Sequence, residues 1–184
     1  TFDLSSFYFD IRKDVLYCDS LNSKKRTNCV KVLNIILESL LKWFAPILVF
    51  TTDEIYSLIR KGDKNIHEHL FVKVPKQWEN KKLNDKWDQL FKIKQEANIA
   101  IEAKRSSKEI GSSLEAEVKL SVNKNKFELL KNLDLAEYLI TSKAEKVLNQ
   151  DEEMKIEVIK AKGEKCPRCW KILEQKCNRC SNLI

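Results

Sequence analysis

The chain has 184 residues, 34 Lys and Arg against 27 Asp and Glu, and a formal charge of +7. That length holds one or two cores and is short for a multi-step enzyme, and the charge suits a polyanion such as RNA or, equally, lysine-rich solvated helix faces. A hydrophobic content of 43% excludes a disordered tail, and without a long apolar run or a basic-then-apolar leader the sequence offers no membrane span and no signal peptide, which reads as a cytoplasmic protein.

Three glycines, three prolines and a charged third favour helices with wet outer faces. From Phe2 to Tyr17 the apolar residues Leu4, Phe7, Tyr8, Ile11, Val15 and Leu16 recur at three and four, one face of an amphipathic helix. A basic turn, Asn22 to Arg26, leads to a second helix with Val30, Leu33, Ile36, Leu37, Leu40, Leu41 and Phe44 on its buried side. Pro46 opens a third helix that runs to about Arg60 and stops at Gly62, since proline is tolerated in a first turn. Lys61 to Lys82 is irregular; within it His67 and His69 lack a third ligand or a nucleophile and read as loop residues. Leu83, Trp87, Leu90, Phe91, Lys94, Ala97 and Ile101 mark a fourth helix that ends near Gly111.

After Gly111 the period changes. Leu114, Ala116, Val118, Leu120 and Val122 alternate with mostly polar residues, as in a strand with one buried face. Phe127 to Leu133 reads as a short helix, Tyr138 to Thr141 as a short strand, and Lys155 to Lys160 as another alternating strand. The expected fold is mainly α: a helical unit over 1–111, a small α+β unit over 112–161 and a cysteine-rich tail over 162–184. The sequence does not begin with methionine, which reads as a segment of a longer protein.

The tail carries four of the six cysteines in two C-x-x-C pairs, Cys166/Cys169 and Cys177/Cys180, with Trp170 to Lys176 between them. Two such pairs offer four thiolates to one tetrahedral zinc, each pair forming a tight turn that aims two sulfurs at the metal. Disulfides conflict with a cytoplasmic chain, and the redox reading of Cys166-Pro167-Arg168-Cys169 requires a strand before and a helix after it. So small a tail cannot bury enough surface to fold unaided, so the zinc is structural, and four ligands leave no position open for a water nucleophile. Lys162, Lys165, Arg168, Lys171, Lys176 and Arg179 outnumber Glu164 and Glu174, so the zinc-loaded tail stays only slightly positive. Trp170 either stacks on an unpaired base or packs against the α+β unit. Cys18 and Cys29 lie on helical patterns, far from the cluster in sequence, and read as small core thiols.

The segments LSSFYFDIRKDVLYCDSLNSKKRT, LKWFAPILVFTTDEIY and IAIEAKRSSKEIGSSLEAEVKL, followed by EKCPRCW and CNRC, together resemble the C-terminal part of the bacterial isoleucyl-tRNA synthetases over nearly the whole chain. FYFDIRKDVLY and FAPILVFTTDE are shared with other class I synthetases; IGSSLEA before a strand and the terminal cysteines narrow the resemblance to the isoleucine family. It implies that 1–111 is a helical-bundle anticodon-binding domain and 162–184 a four-cysteine zinc-binding peptide. Neither the HIGH-type nor the KMSKS-type nucleotide signature is present, so ATP use and catalysis belong to catalytic and editing domains that are missing here. The implied partners are isoleucine tRNA and those missing domains, with no membrane and a monomeric state. The resemblance implies Cys166, Cys169, Cys177 and Cys180 as zinc ligands, with Arg168 and Trp170 at the RNA surface. Lys104, Arg105 and Lys108, at the end of the fourth helix, and Lys24, Lys25 and Arg26, in the first interhelical turn, are candidate phosphate contacts or ordinary solvated cations. Arg168, between two ligands, is alternatively a neutraliser of the thiolates.

Two other functions compete. A zinc-stabilised protein-interaction module predicts no RNA binding, and a thiol redox enzyme predicts reactive cysteines without metal.

Overall fold

The computed structural model describes residues 2–62, 65–151 and 153–181. The chain is mainly helical and divides into two compact units, Leu21–Glu79 and a second made of Thr1–Ser20 with Asn80–Ile184. This division cuts across the sequence boundaries at 111 and 161: the first and fourth helices group with the sheet and the tail, because their apolar faces close the sheet's core.

In the larger unit, Phe2–Phe9 winds as a π-helical segment into α1, Asp10–Cys18. Helix α4 spans Lys81–Ser106, capped by Asn80, whose side chain accepts from the Leu83 amide at 3.0 Å. (Helices α2, Lys24–Phe44, and α3, Val49–Ile59, form the other unit.) Strands β1, Ala116–Val122, β2, Lys143–Leu148, and β3, Lys155–Lys160, make a sheet of order β2-β1-β3. β1 pairs parallel with β2 and antiparallel with β3. Parallel pairing needs a crossover, and it is built from two short helices, α5, Lys124–Leu129, and α6, Leu135–Leu139, capped by Asn123 and Asp134.

The strand expected at Tyr138 to Thr141 is therefore the end of α6 and its cap, and the strand lies just beyond, at Lys143–Leu148. The apolar run Tyr138-Leu139-Ile140 is too short to tell helix from strand by period. Asp134 starts the helix, and Ile140, at φ 57°, ends it in the left-handed conformation.

Ala116, Val118, Leu120 and Val122 of β1 are fully buried, and they pack with Ile11, Leu90, Ile93, Ala97, Ile101, Leu130, Leu135, Tyr138, Leu139 and Val158. The last two strands, β4, Glu164–Lys165, and β5, Ile172–Leu173, pair antiparallel and carry the tail.

In the Leu21–Glu79 unit, Ser23 caps α2, accepting from the Arg26 amide at 3.3 Å. Lys24, Lys25 and Arg26 are thus the first turn of a helix and not an interhelical turn. Residues 45–48 form a turn, so α3 starts three residues after Pro46. The buried core here is Leu41, Ala45, Tyr56 and Ile66. Val30, Leu37 and Phe44, expected inside, are exposed. His69 Nε2 lies 3.2 Å from the Tyr56 hydroxyl and His67 Nε2 lies 3.2 Å from the Val49 carbonyl oxygen, so both histidines bind their own unit together.

Candidate metal centre and nucleic-acid interface

Gly163 sets the geometry of the tail. Its φ is +120°, and an added Cβ would lie 2.1 Å from the Leu173 carbonyl oxygen, so only glycine lets β4 and β5 close. That closure stacks two knuckles. In the first, the Trp170 amide donates to the Cys166 carbonyl at 3.0 Å; in the second, the Ser181 amide donates to Cys177 at 2.9 Å.

The sulfurs of Cys166, Cys169, Cys177 and Cys180 all lie within 4.8 Å of one another, and Cys169 and Cys177 are 3.9 Å apart. A tetrahedron with Zn–S bonds of about 2.3 Å has edges of about 3.8 Å, so the four-sulfur set fits zinc. Burial pushes the Cys166 thiol up, but the Cys169 and Arg168 amides aimed at its sulfur outweigh this and bring it down to about 7. Burial and its thiol neighbours push Cys180 far up. Cys18 is not remote from the cluster: it is buried against Cys166, Cys169 and Cys180, its sulfur 3.9 Å from the Arg168 carbonyl oxygen.

Each knuckle carries an arginine just before its second cysteine, and both arginines grip α1. Arg168 Nη2 donates to the Tyr17 carbonyl oxygen at 2.9 Å. Arg179 pairs both guanidinium ends with Asp14, at 2.6 and 2.7 Å, and reaches Asp19 at 3.5 Å. Arg179 also donates toward the Cys169 sulfur, which gives it the thiolate-neutralising position considered for Arg168. Burial alone would raise Asp14, but the Arg179 guanidinium holds its carboxyl below the usual range. The Ile172 amide donates to Ser142 Oγ at 2.6 Å, tying β5 to the start of β2.

Trp170 is 60% exposed, in the left-handed conformation at φ 62°, with the Lys165 ammonium 5.8 Å from its ring centre. A cleft of about 450 Å³ lies between α1, α6 and the first knuckle, lined by Ile11, Tyr17, Leu114, Ile140, Trp170 and Lys171. Its carboxylates are all paired: Asp10 with Lys13 at 3.0 Å, Glu137 with Arg12 at 2.6 Å, and Asp14 with Arg179.

The other candidate cations are dispersed. Lys104 pairs with Glu109 at 2.7 Å and Arg105 with Glu102 at 2.8 Å, whereas Lys108 sits left-handed in the loop after α4. Lys24, Lys25 and Arg26 belong to the other unit.

The anticodon-binding domain of tRNA ligases matches residues 1–120. The chain belongs to this anticodon-binding family. It is 57% identical over 99% of its length to an isoleucine–tRNA ligase of Pelagibacter ubique, 35% identical over its whole length to one of Gluconobacter oxydans, and 35% identical over 99% to one of a Thermoanaerobacter species. It spans about a fifth of the length of each of these relatives: 20%, 20% and 22%. Sequence reading missed the grip of the two knuckle arginines on α1. Arg168 and Arg179 occupy equivalent positions in CPRC and CNRC, a symmetry visible in the sequence, but their partners on α1 are more than 150 positions away. No helix among the described residues is long and apolar enough to cross a membrane.

Proposed function

We propose that this segment recognises the anticodon arm of isoleucine tRNA as part of an isoleucine–tRNA ligase, with one structural zinc held by Cys166, Cys169, Cys177 and Cys180. The observation that carries this reading is the four-sulfur set, fitted to zinc, on a chain of the anticodon-binding family, with a half-exposed tryptophan immediately after its first knuckle. When bound, zinc supplies the folding free energy of the tail. The protein's own groups do the recognition: Trp170 and Tyr17 offer stacking faces at the mouth of an apolar cleft, and Arg168, Lys171 and Lys13 supply charge at its rim.

In this reading the helices to residue 111 form the anticodon-binding bundle, 112–161 the α+β subdomain and 162–184 the zinc-binding peptide, although the compact units cut across these parts. Lys104, Arg105 and Lys108, and separately Lys24, Lys25 and Arg26, contact tRNA phosphates. The segment contains no catalytic residue; ATP-dependent joining of isoleucine to tRNA belongs to the catalytic and editing parts of the same polypeptide. Those parts cover the apolar surface of Trp43, Phe44, Ile47, Leu48 and Phe50, the last 89% exposed. The enzyme is cytoplasmic and monomeric.

Zinc content and binding of isoleucine tRNA against valine tRNA, on one sample at two salt concentrations, test the reading. Expected are one zinc per chain, affinity that falls with salt, and a preference for isoleucine tRNA that Trp170→Ala lowers by about tenfold, the worth of one stacked base. Zinc-loaded chain with no tRNA preference would reduce the tip to scaffold.

A further inference from the structure

The tail is joined to the sheet through Lys162 and Gly163, and its own secondary structure is two strands of two residues. Its orientation is therefore fixed by what it grips outside itself. Among the described residues, these polar contacts do this: Arg168 to the Tyr17 carbonyl, Cys18 to the Arg168 carbonyl, the Ile172 amide to Ser142, and Arg179 to Asp14, with a longer reach to Asp19 at 3.5 Å beside it. The first three are single hydrogen bonds. The fourth is bidentate and charge-assisted, so it fixes rotation as well as distance.

The position of this pair gives it a further property. Arg179 stands between the second pair of ligands, and its guanidinium faces both the Asp14 carboxylate and the Cys169 sulfur. Asp14, Tyr17 and Cys18 share one face of the last turns of α1, where the helix dipole also favours a guanidinium. One guanidinium thus joins the metal cluster to the helix that forms the floor of the cleft beside Trp170.

We propose that Asp14 and Arg179 are positioning residues for RNA recognition: their ion pair is the latch that holds the Arg168–Trp170 knuckle on α1, so that the metal-bound fold of the tail sets the geometry of the RNA surface. The inference rests on the reading that this chain binds tRNA. Neither residue touches the RNA; both act through Trp170. Breaking the pair leaves all four sulfurs in place and frees the knuckle to rotate.

The test uses the zinc-loaded 184-residue chain with Asp14→Asn, which keeps the shape and leaves all four clustered cysteines unchanged, and Asp14→Glu, which keeps the charge. Zinc per chain, the rate of trypsin cleavage after Arg168, and affinity for isoleucine and valine tRNA are measured. Expected for Asp14→Asn are one zinc per chain, cleavage after Arg168 about tenfold faster, and a preference for isoleucine tRNA reduced about fivefold, as befits loss of a bidentate charged pair. Asp14→Glu recovers most of both. In a Trp170→Ala background, Asp14→Asn lowers the preference no further, because the two changes act through one side chain. Unchanged cleavage, or faster cleavage with unchanged tRNA preference, overturns the latch, and so does zinc loss in step with weaker binding, which would make the pair part of the metal site only. If the wild-type chain shows no tRNA preference, the functional reading fails, and the cleavage rates still decide whether the knuckle is held by Asp14.

Discussion

At the scale of single residues, the most exacting group is Lys94. It lies on α4, 9% exposed, and donates to the Tyr138 carbonyl at the end of α6, with its ammonium 5.0 Å from the Tyr138 ring centre and 5.7 Å from that of Phe7. Burial brings the amine down from 10.5 to about 8, against a smaller opposing pull from Asp10. The folded state therefore binds this proton less firmly than the unfolded chain, so stability rises as pH climbs from about 8 to about 10.5 and is lowest below that window. The whole rise from this group is roughly 3 kcal/mol. Lys94→Met removes that rise but leaves the Tyr138 carbonyl without its donor, a loss of about 1–3 kcal/mol. Urea unfolding at pH 7 and pH 10 on both proteins separates the two effects. We expect the variant to match the wild type within about 2 kcal/mol at pH 7, where the two costs oppose each other, and to fall behind it at pH 10. A wild type whose gain from pH 7 to 10 equals that of the variant would assign Lys94 no part in the pH dependence. From sequence, Lys94 reads only as one position in an apolar helical stripe; its buried charge depends on α6, which lies more than 40 residues away in the chain.

At the scale of elements, what was legible followed from how local each signal is. The helices at Asp10–Cys18, Lys24–Phe44 and Lys81–Ser106 and the strand at Lys155–Lys160 show in their own periodicity, and the four clustered cysteines in their own spacing. The helix α6 and the strand β2 did not show, because a five-residue helix carries too little period and β2 breaks the period of two, with Glu145 beside Lys146 and Val147 beside Leu148. The tail's grip on α1 was equally hidden: Asp14 is an ordinary surface acid until Arg179 is placed beside it. The β4–β5 hairpin, in contrast, hangs on one local feature, the positive φ of Gly163. In Gly163→Ala the new methyl group meets the Leu173 carbonyl, so the hairpin opens or shifts and the second knuckle is displaced from the first. Zinc transfer from the variant to a chromogenic chelator should be at least tenfold faster than from the wild type, with the far-ultraviolet spectrum of the helices unchanged. Equal transfer rates would show that the knuckles hold the metal without the hairpin.

At the scale of the molecule, the two units differ in how much apolar surface they close. The sheet unit buries a continuous core from Ile11 through Leu120 to Val158, whereas in the Leu21–Glu79 unit the core cluster among the described residues is the small set Leu41, Ala45, Tyr56 and Ile66, and Trp43, Phe44, Ile47 and Phe50 are exposed. Local opening free energy follows buried apolar contact, so protection against hydrogen exchange should be ranked the same way. Amides of β1 should exchange slowest, at the rate of global unfolding, and those of α3 faster. Metal removal adds a second contrast within the sheet unit. The thiols of Cys169 and Cys180 are raised, chiefly by burial, so without metal these two stay protonated at neutral pH and the charge that Cys169 turns toward Arg179 is lost. The tail then has neither its cross-link nor its electrostatic partner, while the core of β1 keeps every contact it had. Chelation at pH 7 is expected to abolish protection at the Trp170 and Cys180 amides, to lower it over Val15–Cys18, where the tail is docked, and to leave Val118 and Leu120 unaltered. Loss of protection at Val118 on chelation would make the zinc part of the global fold, whereas retained protection at Trp170 would mean that Asp14, Tyr17 and Ser142 suffice to hold the knuckles without metal.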